Sequence, residues 1–393
     1  MTAATTGRTG GIPRGPRALL LAAGGLALLL GLTGALVLLG LPMPRPSVVL
    51  AAGHGPLMAL GFLGTMIALE RAVALGRTWG YAAPLASALG ALALAVLGPG
   101  PVPFALFSLA GGVFVAIYVA FARIEPSLHL MVQAVGATGW LGAALLLGAG
   151  RPVGTVVPFL AAFLVLTIVG ERLELSRVVR TPRAARRAFV AIVVAFGVGV
   201  VASPWLPDAG VRVAGVGLVG LGLWLARYDL ARRTIRTSGV TRFIAAALLP
   251  GYAWLALAGA TWAAGGLVAV GGGGSAAGYD VAIHALFLGF VMSMVFGHAP
   301  VILPGVLALP LPYHRRFYAH LGLLHAGLLL RVAGDVLGAT LAWQAGGVLN
   351  VTALLVFLVS SVAAVLGTRD RAAGPISVPA PGARMRRARP HAR

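Results

Sequence analysis

The sequence predicts an all-α, polytopic transmembrane helical bundle, and three observations predict it. Of the 393 residues, 59% are hydrophobic and only 10% charged, with a mean hydropathy of +0.95. That leaves too few polar groups to cover a water-soluble surface. Apolar runs of about 20 residues, the length that crosses the hydrocarbon, follow one another with short breaks. The runs are rich in Ala, Leu, Gly and Val without the alternation of a barrel strand, so their backbone groups must be satisfied within helices.

Spans are expected near 18–40, 47–69, 79–98, 102–122, 127–149, 153–170, 188–206, 210–226, 243–264, 281–305, 317–338 and 345–366. Turn-forming breaks separate them at Pro42 to Pro46, Gly98 to Pro103, Ser203 to Pro207 and Gly271 to Gly274. Charge tests the count independently. If the N-terminus is inside, all of the 30 basic residues except Arg45, Arg151, Arg212 and Arg331 fall on the cytoplasmic side. A miscounted span would scramble that division, so both termini are expected inside, in the cell inner (plasma) membrane.

The domain plan is a cytoplasmic tail over 1–17, a membrane domain over 18–366 and a basic, disordered cytoplasmic tail over 367–393. The run after Arg8, Arg14 and Arg17 is longer than a signal-peptide core and lacks a small-residue cleavage site, so it reads as an uncleaved first span. Arg384, Arg386, Arg387 and Arg389 suit anionic membrane lipid or a solvated tail rather than nucleic acid. The chain has no Cys, which excludes disulfides, covalent CxxCH haem, thiolate metal sites and iron–sulfur clusters.

An internal echo links spans two and six. Thr65 to Glu70-Arg71 and Thr167 to Glu171-Arg172 each place a Glu-Arg pair where a helix is expected to meet the cytoplasm. The pairs read as interfacial anchors or as repeated hairpins that position a cofactor or gate.

Ionisable groups inside spans are costly and mark sites. His54 in span two and His284 in span ten have similar depths. His129 lies near the inner end of span five, with Gln133 one turn on. His320 and His325 lie in span eleven. His298 follows His284 by 14 residues, about 21 Å along a helix. His314 and His391 belong to aqueous segments. Imidazole binds haem iron and copper as a neutral ligand, whereas a lone buried His also serves as a hydrogen-bonded packing residue. His54 with Met58, and Met294 with His298, share helix faces at a spacing of four, and His with thioether suits haem iron or Cu(I). Arg331 and Asp335 read as an ion pair within one helix, with Arg331 also placed to hold a haem propionate.

His54-Gly55-Pro56-Leu57-Met58 resembles the His-Gly-x-x-Met stretch in the second helix of haem-copper oxidase subunit I, where the His is an axial ligand of the low-spin haem. Phe296-Gly297-His298-Ala299-Pro300-Val301, with Leu303-Pro304-Gly305, is similar to that family's Phe-Gly-His-Pro-Glu-Val segment, where the His binds copper. His284-Ala285-Leu286 followed by Gly289, Met292, Met294 and Gly297-His298 resembles the NnrS family, twelve-span haem- and copper-containing proteins linked to nitric oxide metabolism and denitrification. The oxidase's His-His pair, its His-x-His motif and its copper-helix Glu and Tyr are absent, which argues against proton-pumping oxygen reduction. The His284 to His298 interval is shorter than in NnrS.

The resemblance implies a non-covalent b-type haem on His54 and His284, with Met58 and Arg331 beside it. It also implies copper or a second haem at His298, with His129 and His325 as further metal-ligand candidates. The expected function is haem binding, with or without copper, in nitric oxide or respiratory metabolism, in contact with a complex of that metabolism; enzymatic turnover is left open. A secondary transporter using Pro300 and Pro304 to break span ten, and an assembly factor of a respiratory complex, are the alternatives. The transporter is disfavoured because the spans are expected to hold almost no buried carboxylate beyond Glu70, Glu125 and Glu171 at the inner boundary.

Overall fold

The computed structural model describes residues 12–44, 47–175, 181–265, 276–307 and 313–373, with side chains to 364. Arg8, Arg45, Arg177, the Gly271 to Gly274 run, the tail arginines and His391 lie outside the described residues. Within them there are twelve helices long and apolar enough to cross a membrane and no strand. The chain is a multi-pass α-helical membrane protein.

The spans are α1 (Arg14–Leu38), α2 (Val48–Leu75), α3 (Thr78–Leu97), α4 (Pro101–Ile124), α5 (Leu128–Gly148), α6 (Val153–Leu175), α7 (Arg183–Ala202), α8 (Pro207–Tyr228), α9 (Gly239–Ala263), α10 (Ala276–Leu307), α11 (Phe317–Leu337) and α12 (Thr340–Ala373). Their order and number match the expected spans. Several run past the expected ends because a helix continues through polar turns after its apolar window closes. α6 thus keeps Glu171 and Arg172 in the helix, and α7 begins at Arg183 rather than at 188. Left-handed Gly76 and Gly338, at φ of 66° and 64°, end α2 and α11.

Most sequence neighbours pack as antiparallel pairs, with α5 on α6, α8 on α9 and α11 on α12 among the closest. Burial nevertheless singles out three non-consecutive helices. α6, α10 and α2 are 78%, 67% and 61% buried over their apolar windows, against 33% for α1 and 28% for α7. The three lie four spans apart in the chain. α10 touches both others, and α2 meets α6 through Gly55, where an added Cβ would lie 3.4 Å from Val153. Around this axis α4, α5 and α6 lock through Phe114, Tyr118, Trp140 and Phe163.

Two of the central helices carry the same local irregularity. α2 is π-helical over Leu57–Gly64, three residues beyond His54, and α10 over Ala285–Met292, directly beyond His284. Both stretches contain Leu-Gly-Phe, Leu60-Gly61-Phe62 and Leu288-Gly289-Phe290, and both are followed by hydroxyl-Met, Thr65-Met66 and Ser293-Met294. The echo between α2 and α6 read from the sequence therefore has a companion between α2 and α10. Such wide turns are frequent at functional sites.

α11 and α12 approach as small-residue helices do when backbone contact replaces a hydrophobic driving force. A Cβ on Gly346 would sit 2.6 Å from the Gly327 carbonyl oxygen, and one on Gly347 2.9 Å from a guanidinium nitrogen of Arg331. Gly346→Leu should therefore separate the pair and lower the thermal midpoint in detergent by several degrees. Gly112→Leu, at a position with nothing within 4 Å, should leave it unchanged. Equal midpoints for both variants would refute this account of the packing.

Candidate functional site

The bundle has a near face, where α1 begins, and a far face, where α2 and α10 begin. Polar groups gather at both ends of the central trio. At the far face, His54 is in the first third of α2 and His284 in the first third of α10. His54 Nδ1 lies 2.8 Å from the Gly31 carbonyl of α1, and His284 Nδ1 lies 2.9 Å from the Asp280 carbonyl one turn earlier. A carbonyl only accepts, so both rings carry their proton on Nδ1 and present a bare Nε2 lone pair. Neither Nε2 has a hydrogen-bond partner among the described residues. The two imidazoles are within electrostatic reach of one another and of Arg331.

Arg331 is not paired within its helix. Its guanidinium makes a two-point ion pair with Asp280 of α10, at 2.7 and 2.6 Å, and stacks over Trp343 at 5.2 Å. The expected Arg331–Asp335 pair is thus corrected: helix spacing permits it, but bidentate geometry toward the neighbouring helix wins. The Asp335 carboxyl instead faces Asp280. Asp280 also sets an oxygen 3.2 Å from His284 Nδ1, so one carboxylate orients both the arginine and the imidazole. Met58 does not extend the donor set toward His284. Its sulfur packs on α1, where a Cβ on Gly31 would lie 2.7 Å from it.

At the near face the two Glu-Arg pairs meet. Arg71 bonds Glu70 at 2.6 Å and Glu171 at 3.1 Å, tying α2 to α6, with the Tyr118 hydroxyl beside it. Arg172 turns the other way. It grips the wholly buried Asp229 at the end of α8 through Nε at 2.9 Å and Nη2 at 3.2 Å, and its Nη1 donates to His298 Nε2 at 3.0 Å. Tyr252 of α9 faces the same ion pair. Arg71 and Glu70 form the ion pair expected of them, whereas Arg172 is 4% exposed and pairs with Asp229.

The remaining histidines divide by the state of their lone pairs. His298 donates from Nδ1 to the Met294 carbonyl at 2.8 Å, and its Nε2 lone pair is taken by a guanidinium. The Nε2 lone pair that a copper ion would need at His298 is engaged by the Arg172 guanidinium. Met294 points away from it, toward Gly251 of α9. His325 accepts from the Trp254 indole at 3.1 Å on Nδ1, so its Nε2–H faces Ser293 Oγ at 3.3 Å, and both nitrogens are engaged. His129 sets Nε2 3.3 Å from Ser127 Oγ and 3.8 Å from Glu174. Gln133, expected to orient it, donates to the Thr167 carbonyl at 3.4 Å.

Sequence reasoning passed over Asp229 and Asp280, because one ends α8 and the other begins α10, outside the apolar windows. A signal existed for Asp280: it precedes His284 by one helical turn, the spacing that lets a carboxylate orient a ligating imidazole. Asp280 adds a part-buried carboxylate, its side chain 17% exposed, at the far end of the bundle.

Breaking the Arg172–Asp229 pair leaves an uncompensated ion in the bundle. Asp229→Ala should cost about 3 to 5 kcal/mol in reversible unfolding from mixed micelles, and the double variant Arg172→Leu/Asp229→Leu should regain most of it. A double variant as unstable as the single one would contradict this reading.

No curated protein and no solved structure matches the chain. A family model does match, across residues 17–366, which covers ten spans whole and most of the first and last. The chain belongs to the family described as Domain of unknown function (DUF8744).

Proposed function

We propose that this protein binds a b-type haem between α2 and α10, which His54 and His284 would hold, and that it serves respiratory or nitric oxide metabolism in the inner membrane with both termini cytoplasmic. One observation carries the reading. Two imidazoles on adjacent central helices, at one depth, each have Nδ1–H fixed to a main-chain carbonyl and Nε2 left free. That is the donor state in which an imidazole would hold a haem iron, with the groups that orient each ring already in place. The residues fit the group in charge as well. Arg331 lies at that depth, and a propionate would share its guanidinium with Asp280.

A bound haem supplies reversible one-electron chemistry. The chain's own contribution is to hold the rings, fix their tautomers and set the local charge. Asp280 bears on the last of these, because a carboxylate against Nδ1–H makes His284 a stronger donor. The copper-containing version of the proposal has less support, since His298 and His325 spend both nitrogens on protein groups.

The transporter reading gains one carboxylate that no arginine holds, Asp335, whose Oδ2 is buried without a hydrogen-bond partner among the described residues. Asp229 and Asp280 are both held by arginines, whereas coupling to a proton gradient needs a carboxylate that binds and releases its proton. Substrate uptake into proteoliposomes that survived haem depletion would favour it.

Protein purified after expression with ample haem should show a Soret band and sharp reduced bands of a bis-histidine haem. His54→Ala and His284→Ala should each abolish that spectrum. Asp280→Asn should retain it and raise the midpoint potential, because the ligand becomes a weaker donor. An absent Soret band, or a spectrum that depends on only one of the two histidines, would overturn the proposal.

A further inference from the structure

A second feature, independent of the two-imidazole site, lies in the near half of the bundle. There α1, α2, α10 and α12 enclose an apolar cleft of about 620 Å3, lined by Gly25, Phe62, Met66, Leu303 and Phe357 among others, with Glu70 at one end. Leu26, Leu29 and Val362 of its rim are 43%, 39% and 49% exposed on the outer surface of the bundle, so the cleft opens sideways to lipid.

Phe357 lines the cleft on one side and meets His320 of α11 on the other. His320 is 2% exposed, and both of its nitrogens lack a hydrogen-bond partner among the described residues. Its surroundings are rings: Phe296 at 4.7 Å, Phe357 at 5.5 Å, Phe317 at 5.6 Å and Phe243 at 6.2 Å between centroids. Phe296 and Phe357 are themselves stacked at 4.5 Å. An aromatic cage packs an imidazole well and satisfies none of its polarity. A buried polar group left so is costly and rare. A Leu or Phe would fill the same cage without that cost, so the imidazole is explained by something that enters and bonds to it.

The walls restrict what that is. The group beside His320 must be flat to share the Phe296–Phe357 stack, must accept from or donate to an imidazole, and must be uncharged, because an ion behind Phe357 would be unsolvated. The remainder must be an apolar chain able to fill a cleft that opens to lipid. We propose that the cleft binds a lipid-phase quinone or quinol. Its ring displaces Phe357 from the stack and bonds to His320 through a carbonyl or hydroxyl, and its isoprenoid chain lies between α1 and α12. A phospholipid does not meet these terms, since its charged headgroup stays at the interface.

The test is saturable binding of a radiolabelled short-chain quinone to the full-length protein in nanodiscs, with a long-chain fatty acid as competitor. Wild-type protein should bind it, and the fatty acid should not displace it. His320→Leu should weaken binding about tenfold, as loss of one buried hydrogen bond does, and should leave thermal stability equal or higher, because an unsatisfied group is removed. Gly25→Trp fills the cleft from its rim and should abolish binding with His320 intact; this variant decides the matter if His320→Leu fails to fold. Undiminished binding by Gly25→Trp, displacement by the fatty acid, or a His320→Leu protein that binds as wild type does would each overturn the proposal.

Discussion

Hydrocarbon offers no water to an ion, so a charged side chain that enters the bundle needs a partner on another helix. That constraint organises the polar interior. Arg71 holds α2 to α6 through Glu171, Arg172 holds α6 to α8 through Asp229, and Arg331 holds α10 to α11 through Asp280. Each link uses a guanidinium, which tolerates burial better than an ammonium; Arg172 and Arg331 meet their carboxylates at two points and Arg71 meets Glu171 at one. Apolar packing between helices in lipid does not select one arrangement strongly. These ion pairs are directional, and they fix which helix faces which.

Around that framework the chain repeats itself. α2, α6 and α10 recur every four spans, form the most buried part of the bundle and carry the polar groups at its two ends. Both helices that bring a bare imidazole also widen into a π turn next to it. An extra residue in a helical turn rotates everything beyond it, so one helix can aim its histidine in one direction and its hydroxyl-Met segment in another. Thr65 and Ser293 use that freedom alike, each sending a hydroxyl across to a neighbouring helix.

The sequence carried the span count, the order of the helices and the shared depth of His54 and His284, because these follow from apolar length and residue position. Pairing across helices was not legible. Asp335 is the natural partner of Arg331 at helical spacing, yet the side chain reaches Asp280. Spacing records which residues share a face and not what stands opposite that face. The partner of His298 was hidden for the same reason: its motif likeness describes a local stretch, and the lone pair meets an arginine on α6. The hydroxyl-Met echo between α2 and α10 was present in the residues, masked by a different distance from each histidine. His320 looked ordinary, since nothing local says that four phenylalanines from four helices converge on it.

His54 and His284 belong to helices separated by eight spans of synthesis. α2 enters the bilayer early, and its imidazole is fastened to Gly31 by α1 alone, before most of the chain exists. The opposing ring arrives with α10, held by Asp280, and Arg331 follows on the next helix. The two rings therefore come within reach of one another only after ten of the twelve spans have been made. A chain cut short before α10 would keep the first ring fastened to α1 and lack the second altogether.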